Sequence, residues 1–416
     1  MGGGGSGLEV VRDPLWNNIR LDPEAHAVLD TPAFQRLRYV RQLGHAFLVY
    51  PGATHSRFEH ALGTYHLARR AIAQLAEVGA GPDPETARHL RLAALLHDVG
   101  HYPFSHALEE AGLPNHEGLA AQHLASGELG AVLEGAGVSP RQLLPLIQGT
   151  SDQPLAGLIS GGLDVDKLDY LSRDAMMCGV PYGVIDVDRL LASLTVATTD
   201  GGRRMALHEK GLTALESLLF ARYQMYRNVY WHHAVRSATV MFKRLVTRAI
   251  AAGRITAEAV AFATDDGLLH ELQQHDTTGL ARALRERRLA KRAVDIPAAQ
   301  LPAEPADWPA TDPDFVERVE AKLARDAGIA PDRLFLDFPA KPGMLDPDLR
   351  LVRRDGSLTQ LAGVDAGAHL GVARVAAELY STARRLRVLV LVPATIDAKK
   401  VAELVTKSRK DVEKLL

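Results

Sequence analysis

Apolar residues recur at helical spacing along most of this chain and alternate like strands in few places. In "TPAFQRLRYVRQLG", Phe34, Leu37 and Val40 to Leu43 share a helical face, with Thr31 placed as N-cap and Pro32 at the first helical position. A second helix is predicted from about Phe58 to Val78. "GAGPDP" separates it from a third that carries the apolar run Leu92 to Leu96 and ends at His97 and Asp98. Shorter helices follow to about Gln148. "GLDVDKLDYLSRDAMMCGV" opens on a turn at Gly161 and Gly162 and continues as a helix with Val165, Leu168, Leu171 and Met176 inward. Gly79 to Asp83, Gly161 and Gly162, and Asp200 to Gly202 read as turns within one helical domain. Past about Gly253 the pattern changes. "ARALRERRLAKRAV" reads as a basic helix and "LPAEPADWPATDPD" as a Pro/Asp-rich connector, while "RLFLDFP", "LRLVRRDGSLTQL" and "RRLRVLVLVP" read as strands. The expectation is a mainly α protein. It has a flexible leader over residues 1–14, a helical core over 15–250, a helical extension with connector over 251–345 and a smaller α+β region over 346–416, without internal repeats.

Composition narrows the function classes. The 416 residues include 48 Lys and Arg against 50 Asp and Glu, so no global field draws the chain to nucleic acid or an acidic membrane. An anionic ligand must meet a local patch. The single cysteine, Cys178, excludes an intrachain disulfide and fits a reducing, cytoplasmic setting. No apolar run reaches the roughly 18 residues of a membrane span, and "MGGGGSG" lacks the pattern of a signal peptide.

Chemistry concentrates in "LAALLHDVGHYPFSHALEE", where His97, Asp98, His101 and His106 fall within ten residues after a buried-looking run. An imidazole beside a carboxylate at the end of a buried helix is half of a divalent metal site. His60 in "HSRFEHALGTYHLARR" and Asp166 in "DVDKLDYLSRD" stand among apolar neighbours and complete a set of two imidazoles and two carboxylates. Such a set leaves coordination positions open for water and substrate, as hydrolysis requires. Taken singly, each histidine reads more readily as a polar residue crossing a helical core. His66 and His123 are expected to remain packed or surface residues.

Taken in order, "HSRFEHALGTYHLA", "LLHDVGHYPFSH" and "DVDKLDYLSRD" resemble the signatures of the HD-domain phosphohydrolases, in particular the deoxynucleoside triphosphate triphosphohydrolases. The resemblance spans roughly Leu15 to Arg244, and more weakly "FPAKPGMLDPDLRLVRRDG" and "VLVLVP". It implies a helical HD-domain core and one divalent metal ion (Mn, Mg, Fe, Co or Zn) on His60, His97, Asp98 and Asp166. It also implies that His101, His106 and His116 line the scissile phosphate. Pro103 is expected to turn the chain and aim His106 at the site, and His97 and His101 lie one turn apart if the helix continues. His116, oriented by Glu109, is the candidate acid for the leaving oxygen.

Arg57, three residues before His60, and Lys167, next to Asp166, are candidate phosphate clamps. Arg222, Tyr226 and Tyr230 form an i, i+4, i+8 stripe that periodicity alone assigns to the core. The resemblance instead implies that they touch triphosphate and sugar, with Tyr230 under the deoxyribose where a 2′-hydroxyl would be crowded. Tyr226 departs from the histidine more usual there. Gln42, Tyr170 and Asp174 are implied at the sugar. The implied reaction converts a dNTP to deoxynucleoside and tripolyphosphate. The alternatives are a phosphatase or phosphodiesterase on monophosphates or cyclic nucleotides, or a non-catalytic nucleotide sensor. Implied partners are the nucleotide substrate, a nucleotide activator and further copies of the chain in a homo-oligomer, with His232, His233 or the basic run Arg282 to Arg292 as places for an activator.

Overall fold

The computed structural model describes residues 9–199, 202–340, 349–361 and 372–416. The described residues are mainly helical, with three small sheets among them. The largest core is built on three helices, Arg57–Glu77, Pro84–Leu96 and Val165–Cys178. Their starts are written in the sequence. Ser56 and Glu59 form a capping box in "SRFE", and Asp164 accepts from the Lys167 amide at 2.8 Å. Arg57 therefore opens the first helix with His60 in its first turn, and Asp166 and Asp169 lie three residues apart near the start of the last. The core runs through Tyr65, Leu67, Leu92, Leu95, Leu168 and Leu171, all essentially without solvent contact.

Part of the expected leader is a strand. Glu9–Asp13 (β1) pairs antiparallel with Asn17–Leu21 (β2), and Asp13 closes the turn by accepting from the amides of Leu15 and Trp16. The helix expected from Pro32 to Leu43 is shorter. One α-turn, Pro32–Gln35, passes into a 3₁₀ segment at Arg36–Tyr39, and Thr31 caps nothing because its hydroxyl donates to the Val28 carbonyl. Beyond it, Arg41 forms a β-bridge with Ser56.

A hairpin of Leu194–Thr199 (β3) and Gly202–His208 (β4) interrupts what reads as one helical domain; residues 200 and 201 lie outside the described residues. The basic helix is cut short as well. It spans Leu280–Arg285, then turns at Arg287 (φ 56°) into the strand Lys291–Pro297 (β5). The three predicted C-terminal stretches are strands: Leu334–Asp337 (β6), the hairpin Arg350–Val352 (β7) and Leu358–Gln360 (β8), and Arg385–Val390 (β9).

These strands belong to two different sheets. β7 pairs parallel with β4, and Leu349, Leu351 and Leu361 join the core of the first helices. β9 instead lies between β5 and β6, antiparallel to both, and packs against the Pro313–Asp326 helix. Residues 341–348 of the predicted "FPAKPGMLDPDLRLVRRDG" stretch lie outside the described residues. This second sheet is tied to the rest by ions. Arg236 reaches both Glu110 oxygens at 2.8 Å and Asp337 at 2.6 Å, and Arg387 joins Asp337 at 3.2 Å and the Trp231 carbonyl at 2.8 Å.

Candidate active site

His60, His97, Asp98 and Asp166 meet where the three core helices converge. His60 Nε2 lies 3.2 Å from His97 Nε2, 3.0 Å from Asp166 and 3.6 Å from Asp98. His97 Nε2 lies 3.3 Å from Asp98 and 3.7 Å from Asp166. The far nitrogen of each ring is committed elsewhere. His60 Nδ1 donates to Asp169 at 2.8 Å and His97 Nδ1 to the Ala94 carbonyl at 2.9 Å. Both Nε2 atoms and an Asp98 oxygen lie within 4.8 Å of one another, the Asp166 carboxylate stands against both rings, and Arg57 donates to Asp98 from the side. A divalent cation satisfies such a set, and open imidazole and carboxylate ligation suits it. Electrostatics agree. Burial opposes charging His60, yet Asp166, Asp169 and Asp98 push its pKa up to about 10, and His97 is raised by Asp98 and Asp166 against the same penalty.

Asp169 was not singled out from the sequence, although it stands in the quoted "DVDKLDY". Asp166 and Asp169, i and i+3 on one helix, hold opposite nitrogens of His60. Asp169 is itself fixed by Arg173 at 2.9 Å, which also binds Asp13 at 2.8 Å. Gly63 makes the approach possible, because a Cβ there would overlap the Asp169 carboxylate.

The helix ends at Leu96, so His97 and His101 do not sit on successive helical turns. A tight turn, His101 N–H to Asp98 carbonyl at 3.0 Å, carries His101 Nε2 to 3.2 Å from the Asp98 carboxylate. Pro103 is followed by Phe104 (φ 57°) and Ser105 (φ 65°), two non-glycine residues in left-handed conformation. His106 emerges from this bend with its ring edge-on to His101 at 4.8 Å, largely exposed to the cleft. His116 opens the His116–Ala125 helix and stacks on His101 at 3.7 Å; Gly100 leaves room, since a Cβ there would strike the His116 backbone. Glu109 accepts from His116 Nδ1 at 2.8 Å and lies 3.3 Å from His106 Nδ1. Burial resists its charge, but these two rings hold Glu109 well below the usual carboxylate range. Burial, with Arg57 and His116 nearby, keeps His101 neutral.

The two cations proposed as clamps are engaged within the protein. Arg57 is buried, bonds Asp98 and Ser105, and helps to hold Asp98 far below its ordinary pKa against burial. Lys167 donates to Asp164 at 2.5 Å and to the Gly161 carbonyl at 2.8 Å. Both still line the cleft, as do Gln42, Tyr170, Asp174, Arg222, Tyr226 and Tyr230. The expected helical stripe is broken. The helix Leu212–Met225 ends before Tyr226, and Tyr226–Tyr230 form one turn of π-helix, with Tyr226 edge-on to Tyr230 at 5.1 Å. Tyr230 donates to Asp174 at 2.7 Å, and the other Asp174 oxygen bonds His55 at 2.8 Å. His55 also escaped sequence reasoning; its only signal is its place in "ATHSRFEH". His66 stacks on Trp16 and His123 packs against Phe262.

A helical core that gathers one His–Asp pair, a preceding His and a following Asp is the arrangement expected of an HD domain, and the chain is similar to that family over part of its length. Residues 57–174 match the family described as HD domain, and residues 185–366 the HD associated region. Among individual proteins, the chain is 38% identical over 244 residues to an uncharacterized protein of Methanocaldococcus jannaschii, covering 58% of this chain and 50% of that one. It is 30% identical over 266 residues to deoxynucleoside triphosphate triphosphohydrolase SAMHD1 of Bos taurus, covering 54% and 45%. The chain thus spans about half the length of these relatives. A crystal structure of a phosphohydrolase from Bacteroides thetaiotaomicron shares the fold, with a TM-score of 0.72 over 92% of this chain and 99% of that one at 23% identity. No helix among the described residues is long and apolar enough to cross a membrane.

Proposed function

We propose that the protein hydrolyses deoxynucleoside triphosphates to deoxynucleoside and tripolyphosphate. The observation that carries this reading is a cleft of about 610 Å³, a volume suited to a nucleotide, lined both by His97, Asp98 and Asp166 and by Tyr230 and Asp174, with His55 bonded behind Asp174. His60, His97, Asp98 and Asp166 would hold a divalent ion, which when bound would supply Lewis-acid polarisation of a phosphoryl oxygen and acidify the attacking water. Water attack on the α-phosphorus forms one P–O bond and breaks the bond to the 5′-oxygen, which then needs a proton. His116, held through Nδ1 by charged Glu109, is the donor. His101 and His106 border the same phosphate, with His101 fixed by Asp98. Asp174 holds the sugar hydroxyl with Gln42 and Tyr170 beside it, and Tyr230 crowds the 2′ position. Arg222, with the carboxylate-paired Arg57 and Lys167 beside it, faces the triphosphate.

A second reading, a phosphatase or phosphodiesterase on mono- or cyclic nucleotides, is favoured by one observation: Arg57 and Lys167 already have carboxylate partners. The complete acceptor set argues against a purely non-catalytic sensor. The test is incubation of purified protein with each dNTP, each NTP, a dNMP and a cyclic nucleotide in Mn²⁺ or Mg²⁺, singly and mixed, with products resolved by chromatography. Tripolyphosphate with deoxynucleoside supports the proposal; orthophosphate alone, or preference for monophosphates, replaces it with the second reading. Stimulation in mixtures, with a nucleotide-dependent change in mass by light scattering, is expected if the chain is an activated homo-oligomer.

A further inference from the structure

We propose that Asp265, far from the His/Asp motifs in sequence, is a positioning residue that holds the two loops forming the cleft wall. It begins the Asp265–His275 helix, and its side chain is 1% exposed. One carboxylate oxygen accepts from the Phe104 amide at 2.8 Å. The other accepts from the Arg41 amide at 3.1 Å and from the Arg41 guanidinium at 3.2 Å. Arg41 precedes Gln42 at the sugar end. Phe104 precedes Ser105, which bonds Arg57, and His106.

The tie matters because of what it restrains. Phe104 and Ser105 both hold left-handed backbone without being glycine, a conformation that persists only where surroundings impose it. Phe104 is also stacked on His45 at 4.3 Å, and a Cβ on Gly44 would come within 2.8 Å of the Phe104 carbonyl oxygen, so the two loops are already in contact. Contact alone does not fix the backbone direction at Phe104. A directed, buried, charge-assisted hydrogen bond to its amide does. Arg36 reinforces the same junction by donating to the carbonyls of Val99, His101 and Ala263, each at 2.9 Å. The segment around residues 263–265 thus braces the loop that carries the candidate phosphate residues. Its effect on turnover passes through Ser105 and His106, and none of its contacts reaches a metal-ligand side chain.

The proposal uses the phosphohydrolase reading only to choose an assay. Asp265→Asn keeps the shape but turns one acceptor into an NH₂ group facing an N–H. It is compared with Glu271→Gln on the same helix, whose side chain is 53% exposed and pairs with His275. Hydrogen exchange of the segment spanning residues 99–106, and Mn²⁺ content by elemental analysis, need no substrate. Turnover is measured on whichever phosphate ester the wild type hydrolyses. The expected result for Asp265→Asn is faster exchange in 99–106, Mn²⁺ content kept, kcat lowered at least tenfold and KM changed less than about threefold, with Glu271→Gln unaltered. Unchanged exchange overturns the tie. Faster exchange with unchanged kcat, or joint loss of Mn²⁺ and kcat, overturns the positioning role. Should Asp265→Asn not fold, Asp265→Ser, which keeps one acceptor, takes its place under the same criteria; failure of both to fold makes the carboxylate a folding requirement and also overturns the assignment. If the wild type turns over no substrate, the exchange result alone decides, and loss of the functional reading stays distinct from loss of this one.

Discussion

Replacing Asp169 by Asn tests whether the residue behind His60 tunes the metal site. Asp169 is fully buried and its carboxylate accepts from His60 Nδ1 at 2.8 Å, from Arg173 Nε and Nη2 at 2.9 Å each, and from Trp16 Nε1. An asparagine offers one oxygen to these donors and points an NH₂ at at least one of them. Losing a charge-assisted bond costs about 1.5–3 kcal/mol. Arg173 keeps Asp13 at 2.8 Å, so the stability loss should stay below the ~3–5 kcal/mol of a fully broken buried pair. Support of this kind behind a ligand histidine is worth about 10- to 100-fold in metal affinity, or ~1.4–2.8 kcal/mol. Calorimetric titration with Mn²⁺ should show that weakening. Thermal melts should need correspondingly more Mn²⁺ to reach the wild-type increment, because binding to the folded state alone stabilises it by mass action. Asp188→Asn, whose exposed carboxylate meets Arg70, is the control and should stay within ~0.5 kcal/mol of wild type. A well-folded Asp169→Asn protein that binds Mn²⁺ as tightly as wild type would refute the reasoning.

Three further outcomes are expected. His116→Ala should keep Mn²⁺ and lose about a hundredfold in turnover, with less loss on substrates bearing better leaving groups; an unchanged rate removes it as the acid. Tyr230→Ala should raise the NTP rate relative to the dNTP rate, whereas Tyr230→Phe, lacking the bond to Asp174, should raise KM while sugar discrimination persists; equal discrimination in Tyr230→Ala refutes the steric argument. Burial resists charging Asp337, but Arg236 and Arg387 hold its pKa below the ordinary value. A depressed carboxylate contributes stability that is present above its unfolded pKa, about 3.9, and is lost as pH falls through the folded value. Acid unfolding followed by circular dichroism should therefore begin below about pH 4 in wild type, and Asp337→Asn should be less stable at neutral pH with a shallower acid limb; parallel acid curves would exclude this contribution.

The helix starts at Arg57 and Val165 were legible because capping is local: Ser56 with Glu59, and Asp164 with the Lys167 amide, lie within one turn of each other. The His97–Asp98 pair and its apolar approach were legible for the same reason, as were the C-terminal strands from their apolar runs. The order of the motifs pointed to the ligand quartet, but no local pattern shows that His60 Nε2 lies 3.2 Å from His97 Nε2. Tertiary packing alone decided that Asp169 backs His60, that His55 and Tyr230 share Asp174, and that Arg57 and Lys167 are spent on Asp98 and Asp164. It also decided strand partnership: β7 joins β4 across well over a hundred residues, and β9 separates β5 from β6. Periodicity reports which face of an element is apolar, and that follows from backbone geometry within a few residues. Which other face it meets, and which buried charge finds which counter-charge, follows from the joint cost of leaving any of them unpaired, a quantity defined only once the whole chain is packed.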